Sequence, residues 1–490
     1  MKTTQNPQST DAQQKSKWHS GVVPRRVSQI LTMCLLLAGL RGAGAPLPDQ
    51  AKPTVPVYTH AEMEADLEHL TVRLKRAWAY AEDKRTFLGV DLDALHAAAV
   101  RQLDEVQDAD GFYLVVEKYI GGLMDGHASV RPGHSSSGVA ATLRWPFKLM
   151  RLDGHFYVKA VEDAGTALQP GDEILSVNGV ALGKQFESVL TRSTGSTPPG
   201  REHRALETMR RGADRQLRVE AARTNGPTFT CELSALARSG AHAATEEPIR
   251  WKTLEGNLGY LRLPSFAQDM KVWEEGGRGP AALQAALESK KSALRKAFAE
   301  LADTRALILD LRGNGGGSDA LGHFLAHHLC DTAAHPVYYS LATRISEDLV
   351  ALPDFAHYKT APASADNQRF PIKLLPEPGA RRYQGKLAVL MDEACFSACD
   401  CFLNYLAIAA PKTVFVGRPN GAGAGAPRPV VTLPHSKIVI TCCVMQVWNL
   451  TDQLIESRPL KPTVPVKWTP DDLRQSRDPD LAAALRHLAR

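Results

Sequence analysis

Ala306-Leu307-Ile308-Leu309-Asp310-Leu311-Arg312-Gly313-Asn314-Gly315-Gly316-Gly317 is the stretch from which the rest of the chain can be read. A continuous apolar run that ends in turn residues reads as a strand buried on both faces, as in a parallel sheet. The glycines at 313 and 315–317 leave backbone N–H groups unobstructed at the strand's end, where they suit a phosphate or an oxyanion. A helical pattern starts near Asp319. No Gly-Lys-Ser/Thr follows and the GxGxxG spacing is absent, so the turn is neither a Walker loop nor a dinucleotide fingerprint.

Working outward, strands are expected at 258–263, 387–391, 413–416 and 437–447, with helices at 281–301 and 396–410. Strands alternating with helices predict an α/β layered core over 246–490. Upstream, 137–245 breaks into short alternating strands, such as 147–152 and 155–161 around Asp153-Gly154. This predicts an inserted β-rich module. Its Gln169–Gly179 segment runs from a Pro-Gly-Asp turn through a half-buried strand to an Asn-Gly hairpin. Before it, 59–136 reads as a helical unit. Thr59 and Glu62 form a capping box, Leu67, Leu70, Leu74 and Trp78 recur at helical spacing, and further helices are expected at 91–106 and 110–124. The unit closes on a turn at Asp125-Gly126-His127.

The first 45 residues carry six Lys/Arg against Asp11 alone, which leaves 52 bases and 52 acids in the remainder of the 490-residue chain. The net charge of +5 therefore belongs to the leader, and composition gives no reason to expect nucleic acid as a partner. Arg25-Arg26, an apolar run at 30–40 and Ala43-Gly44-Ala45 have the order of a secretory signal, and a run of eleven residues is too short to span a bilayer. Residues 46–58, with four prolines at 46–57, read as a linker. Export to a periplasmic or extracellular setting is expected, with an uncleaved leader as a tether the alternative. Seven cysteines then remain outside the leader. One or two disulfides between Cys395, Cys399 or Cys401 and the Cys442-Cys443 pair are expected in such a compartment.

Ser397 lies among small residues between an apolar strand and a helix, where a nucleophile has access and a helix N-terminus favours negative charge. The motif around 310–317, the segment 389–400, and Ile455-Glu456 followed by Pro462-Thr463-Val464-Pro465-Val466 resemble successive motifs of the C-terminal processing (tail-specific) serine peptidases, a superfamily that includes the tricorn-like peptidases. Gly259-Tyr260-Leu261-Arg262-Leu263 resembles the strand that opens their catalytic domain, and Gln169–Gly179 the end of their PDZ module. The resemblance spans about residues 60–470.

What it implies depends on the base. One branch uses a serine–lysine dyad, but Gly417–Gly425 holds no lysine, and Lys412 and Lys437 fall too early and too late. The other branch takes a histidine from before the PDZ module and a glutamate from near the domain's end. His127 and Glu456 stand at those places. The resemblance thus implies Ser397 as nucleophile, His127 as base and then acid, Glu456 as its orienting partner, and an oxyanion hole of the Gly316 and Ala398 N–H groups. Protein or peptide substrates are implied, and no metal or organic cofactor is called for.

Two rivals remain. His323, His327, His328 and Cys330 could form a zinc site, but Phe324 stands where a zincin holds its glutamate. The same scaffold could also be an inactive protein that binds peptides or apolar ligands.

Overall fold

The computed structural model describes residues 57–489 except 134–142, 164, 224–225, 238–247, 344, 354 and 357–367. The leader, nearly all of the linker and the segment around 246 lie outside the described residues. Among those described, no helix is long and apolar enough to cross a membrane.

Among the described residues, four helices come first: α1 (His60–Ala77), α2 (Ala81–Leu88), α3 (Leu92–Val100) and α4 (Ala109–Gly121). The Thr59–Glu62 capping box is formed and starts α1. The helix expected over 91–106 stops at Val100 and continues as a short 3-10 turn at Leu103–Glu105. Helix α2 was not expected, because its only buried side chain is a lysine, Lys84, and no apolar stripe marks it. Strand β1 (Ser129–Arg131) follows the turn at Asp125-Gly126-His127.

The inserted module contains β2 (Phe147–Leu152), β3 (His155–Val161), β4 (Glu173–Val177), helices α5 (Leu182–Arg192) and α6 (Pro198–Met209), then β5 (Gln216–Ala222) and β6 (Thr228–Ser234). The strands form an antiparallel sheet in the order β2-β3-β4-β5-β6. The two helices are an addition to the expected run of strands. Thr197 caps α6 through the Gly200 N–H with Pro198 inside the first turn, so the prolines at 198–199 start a helix rather than a loop.

The core begins with β7 (Arg250–Leu254), β8 (Leu258–Arg262), α7 (Pro280–Glu300) and β9 (Ala306–Asp310). It continues with α8 (Asp319–Leu329), β10 (Val337–Thr343), β11 (Gln368–Lys373), β12 (Lys386–Met391), α9 (Ala398–Ala409) and β13 (Val414–Gly417). The remaining elements are β14 (Pro427–Thr432), β15 (Val439–Cys443), β16 (Gln446–Trp448), β17 (Val464–Pro465) and α10 (Pro479–Leu488). The central sheet runs β7-β8-β9-β12-β13-β17, parallel except for the β7–β8 pair. Every residue of β9 is buried. Leu307 and Leu309 face one apolar cluster, whereas Ala306 and Ile308 face a second one with Ala484 and Leu488 of α10. The stretch expected to be one strand at 437–447 is two, because Val444-Met445 break it. β15 pairs with β14 and β1, while β16 pairs with β10.

The helical unit has no separate interior. Leu67, Leu70, Phe112 and Ile120 belong to the same cluster as Leu309, Val389 and Phe402. The inserted module keeps its own, around Phe147, Val158, Ile174, Phe186 and Val219. The chain is a mixed α/β fold with several sheets and an N-terminal helical layer fused to its core.

Candidate active site

Three segments converge at the C-terminal ends of the central strands. The first is the turn after β12. Ser397 occupies the N-cap position of α9, yet its side chain makes no capping bond, and its backbone is left-handed at φ 59° and ψ −124°. A non-glycine residue in that region is strained and persists where neighbours hold it. The Ser397 N–H donates to Gly423 O at 2.8 Å, and the Phe396 N–H to Asn314 O at 3.0 Å. The turn is therefore tied on one side to the loop at 420–424 and on the other to the glycine turn.

The second segment carries His127. Its Nε2 is 3.0 Å from Ser397 Oγ. Asp125 shapes the turn: its Oδ1 accepts the His127 N–H at 2.8 Å, and its Oδ2 accepts the Trp78 indole N–H at 2.8 Å. Beyond the turn, Ser129, Val130 and Arg131 pair with Thr441, Ile440 and Val439, which zips β1 onto β15. The imidazole lies 4.5 Å from the Phe396 ring, over which Arg204 of α6 is placed at 4.6 Å. Burial, against the opposing charge of Asp125 and with Arg204 and Lys84 adding to it, pushes the His127 pKa down to about 4. The ring is neutral at pH 7, the form that can accept a proton.

Glu456 is the third, and it is fully buried. It does not contact His127, whose Nδ1 is buried with no hydrogen-bond partner. Its Oε1 instead accepts from Lys84 Nζ at 2.6 Å, and its Oε2 from the Ala424 N–H at 3.1 Å. Burial raises its pKa to about 7, with Lys84 holding the shift back and Asp125 adding to it. The Arg458 guanidinium pairs with Asp83 and reaches only the carbonyl of Glu456.

The glycine turn abuts Ser397. A Cβ on Gly316, whose φ is +90°, would stand 2.5 Å from Phe396 O and 2.7 Å from Ser397 Cβ. The Gly316 N–H donates to Asn314 Oδ1 at 3.0 Å, a bond it would have to share or release to serve an oxyanion. Ala398 is the first residue of α9, so its N–H belongs to that helix's N-terminus.

Several residues of this site escaped the sequence reading. Lys84 is a charged residue on a helix that buries no apolar side chain to mark it. Asp400 reads as an ordinary acid in a first helical turn, yet it is fully buried and holds the 420–424 loop through Asn420 Nδ2 at 2.5 Å and the Gly423 N–H at 2.7 Å. Ser196 accepts the Gly126 N–H at 3.0 Å and also hydrogen-bonds Glu456.

The rival histidines are accounted for differently. His323 Nδ1 accepts the Leu375 N–H at 2.9 Å, His327 Nε2 meets Leu375 O at 2.9 Å, and His328 Nδ1 meets Arg381 O at 3.1 Å. They fasten the loop before β12 to α8. Among the described residues, the three metal-type donors lying within 4.8 Å of one another are those of Asp125, His127 and Cys443. The expected disulfides are absent, since all seven described cysteines are free thiols. Cys395 Sγ is turned to Leu311 O at 3.1 Å and Cys443 Sγ to Asp125 Oδ1 at 3.9 Å, two different surroundings.

A cleft of about 1480 Å³ lies between the inserted module and the core. Residues of β2, α6, β7 and β8 line it, and its floor reaches Gly313 and Ala394 beside the site. Both β2 and β7 are edge strands of their sheets.

Residues 257–466 match the family model described as Peptidase family S41. No curated protein matches the chain. Among solved structures, mature CPAF is similar at 18% identity and a TM-score of 0.65, covering 88% of this chain and 96% of that one. Mature CPAF complexed with lactacystin is similar at 17% identity and a TM-score of 0.65, with 88% and 97% covered. Residues 257–466 thus belong to peptidase family S41, and the chain is a serine-type peptidase. The likeness to CPAF shows that the fold extends over the helical layer and the inserted module as well.

Proposed function

We propose that the chain is an exported serine endopeptidase working through Ser397, His127 and Glu456. One observation carries this reading: His127 Nε2 at 3.0 Å from Ser397 Oγ, with the ring held neutral by burial. Ser397 Oγ attacks the scissile carbonyl carbon as its proton passes to Nε2, and the carbonyl π electrons move onto oxygen. The resulting oxyanion sits against the Ala398 and Gly316 N–H groups. Its collapse breaks the C–N bond, and the amine leaves with the proton from Nε2. Water then attacks the acyl-enzyme by the same exchange and frees Ser397. Glu456 acts through the groups that hold the His127 turn, since it does not touch the ring.

The cleft supports an extended polypeptide as substrate. Two open strand edges offer main-chain donors and acceptors, the usual means of holding an extended chain. The inserted module is read as PDZ-like, with β2 as its docking edge. The leader's basic, apolar and small-residue segments support export.

Hydrolysis of casein by residues 46–490, wild type beside Ser397→Ala, tests the reading. Turnover should fall by at least about 10⁴-fold in the variant. A serine-directed phosphonate should label Ser397 in the wild type. Ligand binding with neither cleavage nor labelling would replace this reading with that of an inactive peptidase-like binding protein.

A further inference from the structure

We propose that Lys84 is a positioning residue that ties Glu456 to the turn carrying His127, so that the acid and the base of the site are held as one body. This rests on the Ser397–His127–Glu456 reading and adds a residue to it. Lys84 stands on α2, and its side chain and that of Glu456 are both fully buried. A lysine ammonium has three N–H donors and no acceptor. Here all three are used: on Glu456 Oε1 at 2.6 Å, on Ser457 Oγ at 2.6 Å, and on Met124 O. Met124 is the residue before Asp125-Gly126-His127, and its left-handed backbone, φ 54°, lies where that turn starts.

The tie is doubled. Ser196 accepts the Gly126 N–H and bonds Glu456, so the turn is bridged to the carboxylate on both sides of Asp125. On its far side, Glu456 holds the Ala424 N–H, one residue from the Gly423 carbonyl that receives the Ser397 N–H. A continuous path therefore runs from the His127 turn through Lys84 and Glu456 to the nucleophile's own backbone.

An ammonium buried in this way is costly unless it is paired. The groups facing Glu456 are mostly acidic or neutral: Asp125 on the turn, Asp400 on α9, Cys443 on β15 and the Tyr80 phenol, with Arg204 of α6 the other cation. Without Lys84 the carboxylate would keep its acidic neighbours and lose its nearest cation, so it would hold a proton to higher pH.

The test compares K84M, K84R, E456Q and K84M/E456Q in casein hydrolysis, phosphonate labelling and pH profiles. K84M should lose about 10²-fold in kcat, the size of a small misplacement of reacting groups. Its acidic limb in kcat/KM should move to higher pH, and K84R should restore part of both. The double variant should be no worse than E456Q, because the lysine acts through the glutamate. A purely structural lysine would lower the melting temperature and the active fraction but leave the limb in place. An unshifted limb in K84M, or an equal further loss when K84M is added to E456Q, would overturn the proposal. Should K84M fail to fold, the double variant, which removes both buried charges, carries the comparison with E456Q. A wild type that neither cleaves nor labels would instead remove the catalytic reading beneath it.

Discussion

His127 and Ser397 are 270 residues apart in the chain, and their side chains meet at 3.0 Å. His127 arrives on the helical layer and Ser397 on the α/β core, and one continuous apolar cluster joins the two. If His127 is the proposed base, replacing it should therefore cost activity without unfolding. His127→Ala is expected to abolish casein hydrolysis nearly as fully as Ser397→Ala, because members of such a set act as a unit. Normal turnover in the variant, with an unchanged melting temperature, would assign the base elsewhere.

His127 and Glu456 should pull stability in opposite directions with pH. The His127 pKa falls from 6.5 to about 4 on folding, so between those values the unfolded chain binds more protons and stability rises with pH. The Glu456 pKa rises from 4.5 to about 7, so the folded chain binds more protons and stability is lost as pH rises through that window. The slopes oppose each other where the windows overlap. Glu456→Gln should steepen the gain in stability between about pH 4.5 and 6.5, and His127→Gln should flatten or reverse it. Urea unfolding of the three proteins across that range is the check, and three parallel curves would contradict it.

Gly316 should tolerate no side chain. Its φ of +90° and the 2.5 Å approach to Phe396 O mean that alanine must push the nucleophile's turn away. Gly316→Ala is expected to lose about 10²–10³-fold in kcat, comparable to the loss of an oxyanion donor. Phosphonate labelling of Ser397 should slow with it, and an unaffected labelling rate would show that the turn can yield.

Arg312 clamps the end of β9 to the C-terminal helix. It pairs with Asp310 at 2.7 Å, Asp478 at 2.8 Å and Asp480 at 3.1 Å, and Asp310 and Asp480 are almost fully buried. Arg312→Met leaves those carboxylates without their main cation. It should cost about 3–5 kcal/mol in urea unfolding, the range for breaking a buried ionic group by removing one partner. A loss under about 1 kcal/mol would place the network with ordinary surface pairs.

The free thiols predict insensitivity to reductant. Dithiothreitol should leave turnover and melting temperature unchanged, and all seven cysteines outside the leader should react with a maleimide after denaturation without reduction. Recovery of fewer would restore the expected disulfide.

The strands of the core were readable in the sequence because burial on both faces demands unbroken apolar runs, as at Ala306–Asp310. Motif order then singled out Ser397 and His127. What stayed hidden follows a different physics. Helix α2 exposes most of its surface and buries a charge, so no hydrophobic period announces it. In the inserted module, α6 begins at Pro198-Pro199, and its start rests on the Thr197 cap rather than on an apolar period. The 437–447 run is mostly apolar, and pairing to two different sheets divides it. Lys84, Ser196 and Asp400 matter through partners that are distant in sequence, and no local pattern encodes such partners.

The pairing of β1 with β15 also sets a timetable for the newborn chain. The strand that steadies the histidine finds its partner only at Val439–Cys443, and Glu456 emerges later still. A ribosome must finish nearly the entire polypeptide before the three groups can meet. On the proposed reading, the catalytic arrangement is therefore a late product of synthesis, completed only once the C-terminal part of the core has been made.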